Sequence, residues 1–264
     1  MLFIYKMIVV TSLHDEKYKE LAELTLFENK KLYCQKHGYK LHYACDGGNE
    51  VTGKNVVTRT PVSEDEICIG WGKIYLMKDA MDKYPDSEWI FNMDCDTMIT
   101  NMEIKLEDII SNHTHSNIHI LMPADCSGIN CGVMAVKNSP IGRAFLDTII
   151  VGEPLYRHWY MYENQLIQDM LIGKYMWCEE LKPGGSCWVD VCNVLKQRVM
   201  NSYDYANLPL LKNRPNDHDI WGESGQWREG DFIIQWPATS LEYRIQQAKK
   251  ILAQKMQLNN YRRI

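Results

Sequence analysis

The sequence predicts an α/β fold built on one central sheet, and three observations carry that expectation. Residues 7–11 (Met-Ile-Val-Val-Thr) read as a strand, residues 17–37 as a helix and residues 39–43 as a second strand, which is the opening of a βαβ unit. Residues 89–93 (Trp-Ile-Phe-Asn-Met) are a short, mostly apolar run entered through a polar turn, the pattern of a buried central strand. Similar apolar runs recur at 118–122, 133–136 and 231–236, with helical patterns between most of them.

Composition bounds the function. The 264 residues suffice for one large domain with a substantial core, and a charged fraction of 24% with 45% apolar residues is ordinary for a globular protein. A net charge of −5 without a long basic block argues against nucleic acid as the main partner. The nine cysteines are odd in number and include no Cys-x-x-Cys pair, so neither a disulfide framework nor a zinc knuckle is expected, and a reducing, cytoplasmic setting is. Residues 1–10 are apolar but short and interrupted by Lys6, so no transmembrane segment or signal peptide is expected there.

In order along the chain, Gly38 is the expected stop of the first helix. The Asp46-Gly-Gly-Asn49 turn lacks the lysine and serine of a phosphate loop. Ser63-Glu-Asp-Glu66 has capping-box spacing and predicts a helix from there to about Lys83, ended by Pro85. A short helix is expected at 104–110. Ser139-Pro140 predicts a capped helix that stops near Gly152, and another helix follows over 163–172. From 178 to 229 the prolines, glycines and Asn/Asp residues predict loops, with strands at 189–194 and 197–201. Thr239 or Ser240 is placed to cap a final helix carrying Leu241, Ile245, Ala248 and Leu252 on one face.

The chemistry concentrates after the 89–93 strand, where Asp94 and Asp96 follow at once. Side chains two apart on an extended segment point the same way, so both carboxylates are expected to converge on one cation, with Cys95 turned into the core. Strand ends of this kind are where ligands bind in open parallel sheets. The stretch Gly128-Ile-Asn-Cys-Gly132 suits close approach of backbone to a ligand, while Asn130 equally suits a turn that satisfies its own backbone. Trp159, Trp221 and Trp227 are candidates for stacking on sugar rings or for partly buried packing. With no covalent-nucleophile motif in the chain, the constellation fits a metal-complexed nucleotide whose departing diphosphate needs charge stabilisation.

At these positions the sequence resembles the galactosyl-, mannosyl- and xylosyltransferases that build α-linkages in fungal mannans, galactomannans and plant xyloglucan. The resemblance is carried by Asn29-Lys30, Tyr33, His37-Gly-Tyr39, Trp71-Gly-Lys73, Pro85, Trp89, Asp94-Cys-Asp96, Asn130-Cys-Gly132, Lys137-Asn-Ser139, Glu163-Asn-Gln165 and Gly230-Asp-Phe232. It implies a single-domain GT-A fold, Rossmann-like and with a mixed central sheet. Residues 1–100 would form the nucleotide-binding half and residues 101–264 the acceptor-side half. It further implies a retaining glycosyltransferase using a nucleotide sugar, UDP-linked by expectation, with Mn2+ or Mg2+ and a carbohydrate or other hydroxyl acceptor. Asp94 and Asp96 would hold the metal, and Thr11, Lys73 and Asp94 the donor; Arg244, close in sequence, is the candidate to replace the diphosphate-gripping basic residue that the family carries and this chain lacks. Asn130 would lie near the sugar and Gln165 near the anomeric carbon. The departure is at the C-terminal end: where the family has a metal-binding histidine after the last strand, this chain has Gln235, a weaker ligand. Relatives are commonly anchored Golgi proteins, whereas this chain starts almost at its first strand and is expected to act as a free-standing catalytic domain.

Two other readings compete. A dehalogenase-like phosphatase would place its aspartate pair after the first strand, whereas here the pair arrives late and Met98 occupies the fifth place of that motif. A carbohydrate- or nucleotide-sugar-binding protein with a degenerate transferase site is favoured only by the altered Gln235 segment.

Overall fold

The computed structural model describes residues 7–57, 61–159, 161–172, 187–207 and 218–261, with side chains of the last helix described as far as Gln254. A mixed sheet forms the centre. Its strand order is Cys192–Lys196, Ile120–Asp125, Val133–Lys137, Ser87–Met93, Met7–Leu13, Lys40–Ala44, with the short Gly128–Ile129 strand pairing on Ile120–Asp125. Met7–Leu13 runs parallel to both Lys40–Ala44 and Ser87–Met93, while Val133–Lys137 lies antiparallel to both of its neighbours. The sheet therefore takes strands from both sides of residue 100. Trp89, Ile90, Phe91 and Met93 are all buried, as an apolar central strand requires. One core layer packs the Ile69–Lys83, Pro140–Tyr156 and Tyr162–Ile172 helices on one face through Trp71, Ile74, Phe145 and Leu166; Tyr33, Leu106 and Phe232 cover the other.

Several expected elements differ in the structure. The first helical stretch, residues 16–37, is not uniformly α: Glu23–Lys30 is wound as π-helix, and the stretch ends at Gly38 in the left-handed region, φ 76°. The capping box at Ser63 is not formed. Glu66–Cys68 is instead a strand paired with Asn55–Val57, Glu66 accepts a hydrogen bond from Val62 N at 2.8 Å, and the helix begins at Ile69. Burial of Ile67 and Cys68 favours a ladder that satisfies their backbone. Ser139 does cap the next helix, accepting from Gly142 N at 3.1 Å, but that helix runs through Gly152 to Tyr156. Gly152 is a packing glycine: an added Cβ would lie 2.6 Å from Leu166 Cδ2. Residues 197–200 form a helical turn (Gln197–Met200) rather than a strand, with Asp219 accepting from Gln197 N at 3.3 Å, and the short Ser202–Tyr203 strand follows. The expected turns around 183–185, 209 and 215 lie outside the described residues.

A second, three-stranded sheet positions the site. Ile233–Gln235 pairs in parallel with Ser202–Tyr203 and antiparallel with Thr97–Ile99, so Gln235 lies opposite Thr97. Leu241–Tyr261 then returns as a helix along the side of the first helical stretch. Among the described residues no helix is long and apolar enough to cross a membrane. Eight of the cysteines, Cys34, Cys45, Cys68, Cys95, Cys126, Cys131, Cys187 and Cys192, are free thiols.

Candidate active site

The Ser87–Met93 strand ends in a turn, not in an extended segment: Thr97 N donates to Asp94 O at 3.0 Å, and Thr97 Oγ1 to the same oxygen at 2.7 Å. Asp94 and Asp96 nevertheless both line one cleft of about 210 Å3, with Leu13, His14, Tyr18, Gly70, Lys73 and Arg244 on its walls. Cys95 lines it too and packs only partly against the apolar cluster around Leu21 and Trp236, since a turn does not alternate its side chains as a strand does.

Each carboxylate has its own cation. Lys73 Nζ lies 2.6 Å from Asp94 Oδ2 and 3.2 Å from Glu163 Oε1, with all three side chains largely buried. Burial works against the Lys73 charge, yet Asp94 and Glu163 outweigh it and hold the ammonium well above its ordinary pKa. Burial likewise pushes the Asp94 carboxyl up, Lys73 opposes this, and neighbouring Asp96 adds to the rise. Arg244 Nη1 sits 3.2 Å from Asp96 Oδ2, and its guanidinium lies 5.8 Å over the Tyr18 ring.

The 128–132 segment reaches this turn through the sheet. Asp94 N donates to Gly132 O at 2.8 Å, one step beyond the Met93–Val133 pair. Asn130 forms the expected turn, its Oδ1 accepting from Gly132 N two residues on at 2.8 Å, and is held as well by Asp125, Tyr203 and Asn201. Gln235 donates Nε2 to Asp96 Oδ1 at 2.9 Å and accepts at Oε1 from Asn201 at 2.6 Å. Four of the residues named from sequence lie off the cleft wall, Asn130 and Gln235 in the hydrogen-bond network just described and Thr11 and Gln165 elsewhere. Thr11 is fully buried, its hydroxyl donating to Asn92 Oδ1 at 3.3 Å, and Gln165 donates to Asp169 Oδ1 at 2.9 Å.

Asp94 and Asp96 are hard oxygen donors of the kind a divalent cation takes, and the four carboxylate oxygens keep lone pairs beyond the bonds they accept. Gln235 does not fit as the third ligand in this arrangement, because it turns its amide nitrogen toward Asp96. Among the described residues no group of three or more His, Cys, Asp or Glu side chains converges as a cation site.

Sequence reasoning missed several participants. His14 is buried on the cleft wall, its Nδ1 without a hydrogen-bond partner among the described residues, and burial lowers its pKa. Glu163 was legible only as part of the Glu163-Asn-Gln165 motif, because its partner Lys73 lies on another helix. Lys30, fully buried behind the aspartate turn, donates to Thr97 O at 2.7 Å. Of the three tryptophans, Trp159 and Trp221 are exposed, while Trp227 is partly buried and donates to Thr100 Oγ1 at 3.1 Å.

Comparison with known proteins agrees with this architecture. An α-1,2-galactosyltransferase of Schizosaccharomyces pombe is 24% identical over 245 residues, covering 80% of this chain and 55% of its own length. The probable α-1,6-mannosyltransferase MNN10 of Saccharomyces cerevisiae is 27% identical over 174 residues, covering 56% of this chain and 41% of its own. The chain thus spans about half the length of the curated relatives it matches. A solved glycosyltransferase involved in glycosylation of the major capsid of PBCV-1 superposes with a TM-score of 0.62 at 17% identity, over 92% of this chain and 99% of that one, and shows the GT-A fold. Residues 5–116 and 109–241 match the model of one enzyme family, and the chain belongs to it: the galactosyl transferase GMA12/MNN10 family of glycosyltransferases.

Proposed function

We propose that this glycosyltransferase moves a hexose or pentose from a nucleotide sugar to a hydroxyl of a carbohydrate acceptor, with retention of anomeric configuration. The observation that carries the reading is the cleft itself. It joins the end of the first strand to the Asp94–Asp96 turn and sets two fixed cations, Lys73 and Arg244, beside two carboxylates. Such a surface suits a diphosphate bridged to the protein through a divalent cation, held by Asp94 and Asp96. That cation would act as a Lewis acid, taking up the negative charge that develops as the diphosphate leaves.

The chain's own residues supply the rest. Lys73, locked between Asp94 and Glu163, keeps the first carboxylate oriented, and Arg244, beside Asp96 on the cleft wall, would contact the diphosphate. Asn130, linked to Asp96 through Asn201 and Gln235, would be the residue to contact sugar or acceptor. Retention is supported by the relatives' names, which specify α-linked products, and by the lack of a carboxylate nucleophile motif in the sequence. Leaving-phosphate oxygen would then receive the acceptor proton on the same face.

The test is nucleotide release by purified protein from UDP-galactose, UDP-glucose, UDP-xylose, UDP-N-acetylglucosamine and GDP-mannose, with Mn2+, Mg2+ or chelator. Release from one donor that stops with chelator and returns with Mn2+ is the expected result. Silence across the panel, together with no donor binding by calorimetry, would instead favour a binding protein with a degenerate site.

A further inference from the structure

Three amides and two carboxylates run in a line behind the cleft, from Asp125 to Asp96, and their hydrogen bonds allow one direction only. The backbone N–H of Gly132 donates to Asn130 Oδ1 at 2.8 Å, and a backbone N–H has no other role available. Asn130 must therefore present its NH2 to the Asp125 carboxylate, which it does at 3.0 Å. The same Asn130 oxygen accepts from Asn201 Nδ2 at 3.0 Å, and that nitrogen also reaches Gln235 Oε1 at 2.6 Å. With its oxygen taken, Gln235 has only Nε2 left for Asp96 Oδ1, at 2.9 Å. Reversing any one amide would set two oxygens or two NH2 groups against each other.

Burial makes this polarity costly to break. Asn201 is fully buried, Gln235 nearly so, and Asn201 Oδ1 has no hydrogen-bond partner among the described residues, so Asn201 engages purely as a donor. Gly132 leaves the space the amides need: a Cβ there would fall 2.6 Å from Gln235 Nε2 and 3.0 Å from Asn130 Oδ1.

We infer that Asn201 is a positioning residue that locks the Gln235 amide with its nitrogen toward Asp96 and so ties the orientation of the Asp96 carboxylate to that of Asn130. Gln235 then serves Asp96 as a hydrogen-bond donor and offers no oxygen to a cation. The inference rests on the reading of Asp96 as a donor-binding carboxylate, but the amide lock is testable without any donor.

The experiment follows the side-chain NH2 of Gln235 by nitrogen-15 NMR in the full chain, its signals identified by their loss in Gln235→Leu. Slow exchange with solvent is expected in the wild type. Asn201→Ala and the near-isosteric Asn201→Leu should each accelerate it roughly five- to tenfold, as loss of one buried hydrogen bond implies, while backbone amides of the central strands keep their protection. In nucleotide release, Asn201→Leu should lower kcat roughly tenfold with little change in KM, and adding Gln235→Leu should cost nothing beyond Gln235→Leu alone. A Gln235 NH2 that exchanges in the wild type like an exposed glutamine overturns the inference, and so does exchange unchanged in the Asn201 variants. Should neither variant fold, the wild-type measurement alone decides. A wild type that keeps a slow, Asn201-dependent Gln235 amide yet releases no nucleotide from any donor removes the transferase reading and leaves the lock standing.

Discussion

Asp94 and Asp96 occupy different electrostatic settings although one residue separates them. Asp94 is tied to Lys73 deep in the site, and Asp96 to Arg244 and Gln235 nearer the last helix. Asp94→Asn and Asp96→Asn are each expected to reduce nucleotide release about a hundredfold or more, the cost typical of a lost charge-stabilising contact, with thermal stability little changed. Lys73→Met should behave differently. It strands Asp94 and Glu163 as uncompensated buried carboxylates, so urea unfolding should show a loss of about 3–5 kcal/mol, and an unaltered midpoint would refute the buried triad. The two aspartates were legible in the sequence because they follow an apolar strand. Glu163 had no such signal, since nothing local distinguishes a helix-start glutamate that meets solvent from one that meets a lysine 90 residues away.

The first helical stretch shows what an element does beyond its periodicity. Its π-wound segment brings Thr25, Asn29 and Lys30 onto the 95–99 segment: Thr25 Oγ1 donates to Cys95 O at 2.7 Å, Lys30 to Thr97 O, and Asn29 both donates to Ile99 O at 3.0 Å and accepts from Ile99 N at 2.8 Å. Asn29 acts as a missing strand partner, and widened helical turns are found at functional sites. Asn29→Ala should cost about 2 kcal/mol in chemical denaturation by removing its two buried hydrogen bonds to the Ile99 backbone; a loss under half that would show the segment is held elsewhere. A continuous helix was readable from the pattern, but extra winding was not, because π and α turns bury similar faces over one turn. The unformed capping box at Ser63 has the same origin: a local motif lost to tertiary pairing with Asn55–Val57.

For the whole molecule, the buried Lys30 links the site to pH. Burial lowers its pKa from 10.5 to about 8, with Cys95, Asp96 and Asp94 opposing that fall, so between those values the unfolded chain binds more protons than the folded one. Stability from this group therefore rises with pH through that window, and below about 8 the cost of burying the charge is fully present. Lys30→Met should flatten that rise when urea midpoints are compared across the window, and an unchanged slope would refute a buried, charge-penalised Lys30. The family match and the fold reach across nearly the whole chain, and the cleft itself draws on distant segments: the end of the first strand, the start of the Ile69–Lys83 helix, the aspartate turn and Arg244 of the last helix.

The sequence by itself determined the α/β class, the central strand and its paired aspartates, the Ser139 cap and the motifs by which the chain resembles its family. These follow from signals that are local in the chain: apolar runs, capping residues, and carboxylates spaced along one segment. Only the tertiary structure decided which cation meets which carboxylate, that Gln235 shows Asp96 its nitrogen, and that Asn201 belongs to the site at all. The reason is physical. A buried hydrogen bond or ion pair takes its sign and its energy from the partner across the fold, and that partner is chosen by sheet register and helix packing rather than by neighbours in sequence.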